Sequence, residues 1–163
     1  LASDLQPDSV VDGTGIRTVI WTQGCAHHCP GCHNPETWSF DDGELVDVED
    51  VIERIRELEG QDGITFSGGD PFYQPEACTI LAKKIHKLGM NVWCYTGFTF
   101  EQLLNLGDTD KNIMDFLKNI DVLVDGQYVD ELHDPTLKWR GSSNQRVIDV
   151  PKSLATGDII TMC

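Results

Sequence analysis

The chain has 163 residues, of which 40% are apolar and 24% charged, a balance that excludes a disordered chain; no run of about 18 apolar residues is available to cross a membrane. Lys and Arg total 12 against 27 Asp and Glu, and the net charge of -15 argues against a grip on a nucleic-acid backbone. Six cysteines are too sparse for a disulfide framework, and the length is that of a single domain, taken here as 1–163.

Leu1 to Val11 carries neither a basic nor an apolar signal region, so the protein reads as cytoplasmic with reduced thiols. Clustered cysteines then point to metal before disulfide. Along the chain, β-rich runs alternate with amphipathic ones. Ile16–Thr22, Ile64–Ser67, Val92–Tyr95, Val122–Val124 and Arg146–Val150 read as strands. Between them, Val48, Val51, Ile52, Ile55 and Leu58 keep helical spacing and stop at Gly60. Ala77, Leu81, Ile85 and Leu88 do the same before Gly89. Thr99 with Gln102 forms a capping-box pattern, and Ile113, Phe116 and Leu117 mark a further helix.

Strand–helix alternation is the signature of an α/β fold with parallel strands. A closed eight-unit barrel needs roughly 250 residues, about 31 per unit. The expected architecture is therefore a partial, open (β/α) barrel of about five units with a mainly parallel sheet. An open doubly wound sheet is the alternative.

The dominant local feature is Gly24-Cys25-Ala26-His27-His28-Cys29-Pro30-Gly31-Cys32-His33-Asn34, with spacing C-x3-C-x2-C. Three thiolates so close converge on one centre if the chain loops around it. The spacing serves equally a zinc site, completed by His27, His28 or His33, and an iron–sulfur cluster with one open position. The loop follows a strand, at the end where α/β proteins place their chemistry. The second strand runs into Ser67-Gly68-Gly69-Asp70-Pro71, where glycines permit close backbone approach. Thr96-Gly97 and Asp125-Gly126 follow the third and fourth strands, so four polar or glycine-rich loops share one sheet edge.

C-x3-C-x2-C followed by Gly-Gly-Asp-Pro resembles the radical S-adenosylmethionine (SAM) enzymes. Val11-Asp12-Gly13-Thr14-Gly15-Ile16-Arg17 and the Cys-His-Asn-Pro run resemble the activating enzymes of glycyl-radical enzymes within that superfamily. Val122-Leu123-Val124-Asp125-Gly126 and Trp139-Arg140-Gly141-Ser142-Ser143-Asn144-Gln145 narrow the resemblance to activating proteins of anaerobic ribonucleoside-triphosphate reductase. The resemblance spans nearly the whole chain. It departs from the wider superfamily at Gly31, usually aromatic, and at Asp70, usually Glu.

The resemblance implies a 4Fe–4S cluster on Cys25, Cys29 and Cys32, with SAM on the fourth iron. Gly31, Cys32 and His33 would lie against SAM. The backbone of Ser67, Gly68 and Gly69 would hold its methionine ammonium, Asp70 would add negative charge beside it, and Thr96 and Asp125 would make further contacts. Catalysis would rest on the cluster and SAM: reductive cleavage of SAM and hydrogen abstraction from a glycine of the reductase. A low-potential donor such as flavodoxin would supply the electron. An activator of another glycyl-radical enzyme, such as pyruvate formate-lyase, is the alternative; a non-catalytic zinc-binding module is the other. Asn144 and Gln145 read equally as loop hydrogen bonding or ligand contact. Cys78 and Cys94 read as packing, Cys163 as an exposed terminus, and His86 as solvated.

Overall fold

The computed structural model describes residues 1, 5–27, 29–30, 32, 35–41 and 43–162. Gly31 and His33, expected against the cofactor, lie outside the described residues, as do His28, Asn34 and Cys163.

Within the described residues, six strands form one sheet in sequential order: β1 (Gln6–Ser9), β2 (Arg17–Thr22), β3 (Gly63–Gly68), β4 (Asn91–Tyr95), β5 (Val122–Asp125) and β6 (Arg146–Asp149). Among the described residues, five helices accompany them: α1 (Val48–Glu57), α2 (Pro75–Lys87), α3 (Phe100–Gly107), α4 (Lys111–Lys118) and α5 (Val150–Thr156). The α/β class holds, but the expectation of a mainly parallel sheet is corrected to a mixed one. Strands β2 to β5 run parallel, whereas β1 pairs antiparallel with β2, and β6 with β5. The cause for β6 lies in its connection. Residues 126–145 hold only a single 3-10 turn, Asp130–Leu132, and no crossover helix, so the chain returns in the opposite direction.

Register builds the core row by row. Ile20, Phe66, Cys94, Leu123 and Ile148 are paired across β2 to β6 and form one buried stripe. Onto it pack Val51, Ile52 and Ile55 of α1, Leu81 and Ile85 of α2, Leu103 of α3, Phe116 and Leu117 of α4, and Val150 of α5. All five helices thus share one apolar cluster on one face. The opposite face carries a smaller cluster, Trp93, Val122, Val124 and Val147, lidded by Trp139 at 5.2 Å from the Trp93 ring.

That second face also holds a fully buried Arg17. Its guanidinium donates to Thr65 Oγ1 at 2.8 Å, to the Ile64 carbonyl at 2.8 Å and to the Thr14 carbonyl at 3.1 Å, and it lies 5.4 Å over the Trp93 ring. Burial pulls Arg17 down to about 10, still well above neutral pH, so it stays charged. Thr65 Oγ1 in turn donates to the Asp12 carbonyl at 2.7 Å, so this network pins the loop before β2 to the sheet.

Caps fix where helices start. Thr99 and Gln102 form the expected capping box. Asp47, Asp110 and Asp149 accept from the first-turn amides of α1, α4 and α5. Because β2 to β5 are parallel, their following loops lie along one edge, and antiparallel β6 begins at that edge with Arg146. Among the described residues, no helix is long and apolar enough to cross a membrane.

Candidate active site

The cysteine loop leaves β2 and is zipped closed by its own return. Gly24 N–H donates to the Thr37 carbonyl at 2.8 Å and Cys25 N–H to the Trp38 carbonyl at 3.1 Å. The Gln23 amide donates to the Glu36 carbonyl at 3.0 Å and the Ser39 carbonyl at 2.7 Å. Cys25 is buried, while Cys29 and Cys32 are half-buried.

The Gly68-Gly69 pair explains how this loop meets β3. A Cβ on Gly68, which sits at φ 104°, would strike the Thr22 backbone, and one on Gly69 would strike the Gly24 carbonyl. The glycines therefore serve first to let the cysteine loop lie directly against the strand end. Two hydrogen bonds seal the contact, from Gly69 N–H to the Thr22 carbonyl at 2.8 Å and from Asp70 N–H to the Gly24 carbonyl at 2.9 Å.

Cys25, Cys29, Cys32, Ser67, Gly68, Gly69 and Thr96 line one cavity of about 100 Å³. The structure thus brings together most of the residues expected at the site. Among the described residues, no three His, Cys, Asp or Glu side chains are drawn tightly enough to enclose a metal ion. Burial pushes the Cys29 thiol up, and the Tyr128 backbone amide pulls it part of the way back.

Asp70 and Asp125 do not line this cavity. The fully buried Asp70 carboxylate accepts from His27 Nε2 at 2.7 Å, Thr96 Oγ1 at 2.9 Å, Gly97 N–H at 2.9 Å and Phe72 N–H at 3.0 Å. Asp125, also buried, accepts from Phe100 N–H at 2.8 Å and from Arg146 Nη2 at 2.5 Å and Nε at 3.1 Å. Hydrogen bonding to Asp125 holds the Arg146 guanidinium firmly charged, and Arg146 also meets Glu101 at 2.8 Å. Asn144 and Gln145 make loop hydrogen bonds, and Gln145 also borders the cysteine cavity. Gln145 Oε1 accepts from Gly141 and Ser142, its Nε2 donates to Gly126, and Asn144 donates to the Gln127 carbonyl.

Sequence reasoning missed several contributors, Tyr128 on the cavity wall among them. Beside the thiolates His27 invites a metal-ligand reading, yet its Nε2 lies 2.7 Å from Asp70. Gln127 Nε2 lies 3.1 Å from the other His27 nitrogen. Tyr95 lines both the cysteine cavity and a larger groove of about 480 Å³ bordered by Val10, Asp12, Trp139 and Arg140. Its position at the end of β4, beside Thr96, was the available signal.

Residues 11–148 match the family model of the 4Fe-4S single cluster domain. The chain is 38% identical over 151 residues to the anaerobic ribonucleoside-triphosphate reductase-activating protein of Salmonella typhi, covering 86% of this chain and 93% of the relative. It is 37% identical over 149 residues to that of Haemophilus influenzae, with 85% and 91% covered. For that of Escherichia coli the identity is 36% over 152 residues, with 86% and 93% covered. By the breadth of these matches, and with the three cysteines gathered on one cavity at the sheet edge, the chain belongs to the family of anaerobic ribonucleoside-triphosphate reductase-activating proteins.

Proposed function

We propose that this chain is a radical SAM activase, a single radical SAM domain over 1–163, whose protein substrate is anaerobic ribonucleoside-triphosphate reductase. The observation that carries the reading is the convergence of Cys25, Cys29 and Cys32 with the Ser67–Gly69 strand end on one cavity. Soft thiolates on one short loop suit a 4Fe–4S cluster, and the His27 imidazole is already committed to Asp70 and Gln127. Cys25, Cys29 and Cys32 would hold the cluster; the backbone at Ser67, Gly68 and Gly69, with Gly31 and His33, would hold SAM. Together these cofactors supply one-electron cleavage of a carbon–sulfur bond and removal of a hydrogen atom from a glycine of the partner.

The protein's own part is binding and enclosure. Trp38 and Tyr128 border the cysteine cavity and would shield the bound cofactors from water on that side. Tyr95 borders both that cavity and the larger groove, along which a backbone segment of the reductase would approach the site. Burial pushes the Tyr95 hydroxyl well above its usual range, so it remains protonated there. Sequential strand order with all helices on one face supports an open, incomplete (β/α) barrel. A cytoplasmic location and a low-potential donor such as flavodoxin complete the reading.

Electron paramagnetic resonance of the anaerobically reconstituted, reduced protein tests it. A cluster signal that changes on adding SAM is the expected result. A cluster indifferent to SAM, or a colourless protein holding zinc, would overturn the reading.

A further inference from the structure

The Asp70 carboxylate offers about four acceptor positions, and all are taken. Four groups donate into it: His27 from the cysteine loop, Phe72 N–H from the turn after β3, and Thr96 Oγ1 and Gly97 N–H from the loop after β4. A buried charge is tolerated when it is paired in this way, and no lone pair is left for an ammonium group. Because a carboxylate only accepts, His27 Nε2 carries the proton toward Asp70. His27 Nδ1 is then the acceptor for the Gln127 amide at 3.1 Å, from the loop after β5. The ring is packed by other rings as well. Phe98 lies at 4.6 Å and Tyr73 at 5.8 Å between centroids, and a Cβ on Gly97 would collide with the imidazole.

One imidazole therefore ties the loops following β2, β3, β4 and β5 together, and it sits in sequence between Cys25 and Cys29. We propose that His27 and Asp70 form a strut that positions the cysteine loop for the cluster, and that Asp70 is a positioning residue and not a ligand of SAM. This inference rests on the cluster assignment above but not on SAM chemistry. It reassigns the one acidic residue of the Gly-Gly-Asp-Pro run from the cofactor to the loop that carries the cluster.

The test uses the full chain, reconstituted anaerobically, with two readouts: iron release to a ferrous chelator, and SAM affinity from the change in the reduced-cluster spectrum. His27→Ala is expected to speed iron release about 10- to 100-fold, in proportion to the metal affinity lost when partners that orient metal ligands are removed. SAM affinity of the cluster-loaded fraction should stay within about twofold, since the ligand backbone is untouched. His27→Gln, which can return an N–H to Asp70, should recover most of the retention. Gln127→Ala, at an exposed position that leaves the core intact, should release iron a few-fold faster. Asp70→Asn should behave as His27→Ala does. The strut is overturned if His27→Ala and Gln127→Ala hold iron as the parent does. It is equally overturned if Asp70→Asn weakens SAM tenfold or more while retaining iron normally. A parent cluster that ignores SAM would count against the proposed function, while the iron-release comparison would still decide the strut.

Discussion

The helix-covered face of the sheet and the edge where β2 to β5 end are built on opposite terms. The face is a stripe of apolar side chains, Ile20, Phe66, Cys94, Leu123 and Ile148, whose contribution is volume and buried area. The edge buries charge, Asp70 and Asp125, and survives because every donor around them is aimed. A stripe held by volume accepts a similar shape and resents a hole. An edge held by direction resents even an isosteric loss of one donor. The same contrast separates two groups of cysteines, since Cys78 and Cys94 belong to the face and Cys25, Cys29 and Cys32 to the edge.

The sharpest break between the two groups is functional. Cys25→Ala, Cys29→Ala or Cys32→Ala is expected to eliminate SAM cleavage, while Cys78→Ala leaves it near the parent rate per cluster. Full cleavage by Cys29→Ala would remove the cluster assignment. Next in size comes a hole in the face. Phe116 is fully buried and its ring meets Phe66 at 5.5 Å and Phe72 at 4.7 Å. Phe116→Ala should lower unfolding free energy by about 3–5 kcal/mol in a denaturant titration. The variant that does fold should keep most of its activity per cluster, because the hole reaches the edge only through Phe72, whose backbone N–H donates to Asp70.

These expectations rest on features that were unevenly legible in the amino-acid order. The strands β2 to β5 announce themselves through β-branched runs, and α1 to α4 through their spacing and caps. Strand β1 does not, because Gln-Pro-Asp-Ser holds no β-branched or aromatic residue and is a strand only by pairing with β2. The direction of β6 was also hidden, since direction is a property of the long connection after β5 and not of Arg-Val-Ile-Asp itself. At the site, the cysteine spacing was plain. The destination of His27 was not, because an imidazole beside thiolates invites a metal reading until Asp70 is placed opposite it. Arg17 shows the same limit. A cation in an apolar strand is a visible oddity, but its acceptors, Thr65 and the carbonyls of Thr14 and Ile64, come from other segments.

A smaller effect is expected where the edge meets solvent. Arg146 is about one-third exposed, whereas its partner Asp125 is buried. Arg146→Met strands that carboxylate, at a cost of about 1–3 kcal/mol, discounted because water reaches the cation side. Adding Asp125→Asn to Arg146→Met should recover part of the loss, since the uncompensated charge is then gone. A double variant no more stable than Arg146→Met alone would show that the pair is not what holds β6 to β5 at this edge.

The smallest effect belongs to the cysteines of the face, and it is informative because it is small. Cys94 is fully buried between Phe66 and Leu123 in the core row, and Cys78 is buried on α2. Burial pushes both thiols well up, so neither forms a thiolate at neutral pH. Cys94→Ala or Cys78→Ala removes one buried sulfur and should cost about 1 kcal/mol, close to the value of one buried methylene group. Alkylation of the metal-free protein, followed by mass spectrometry, separates this from a hidden reactive role. Half-buried Cys29 should label well before the two core thiols, at a rate that keeps rising above the ordinary thiol range, because its own thiol is also pushed up. Cys78 and Cys94 should label only as the fold opens, in step with unfolding. Labelling of Cys94 as fast as Cys29 in the folded protein would erase the distinction between face and edge, because it would place a reactive thiol inside the stripe held by volume alone.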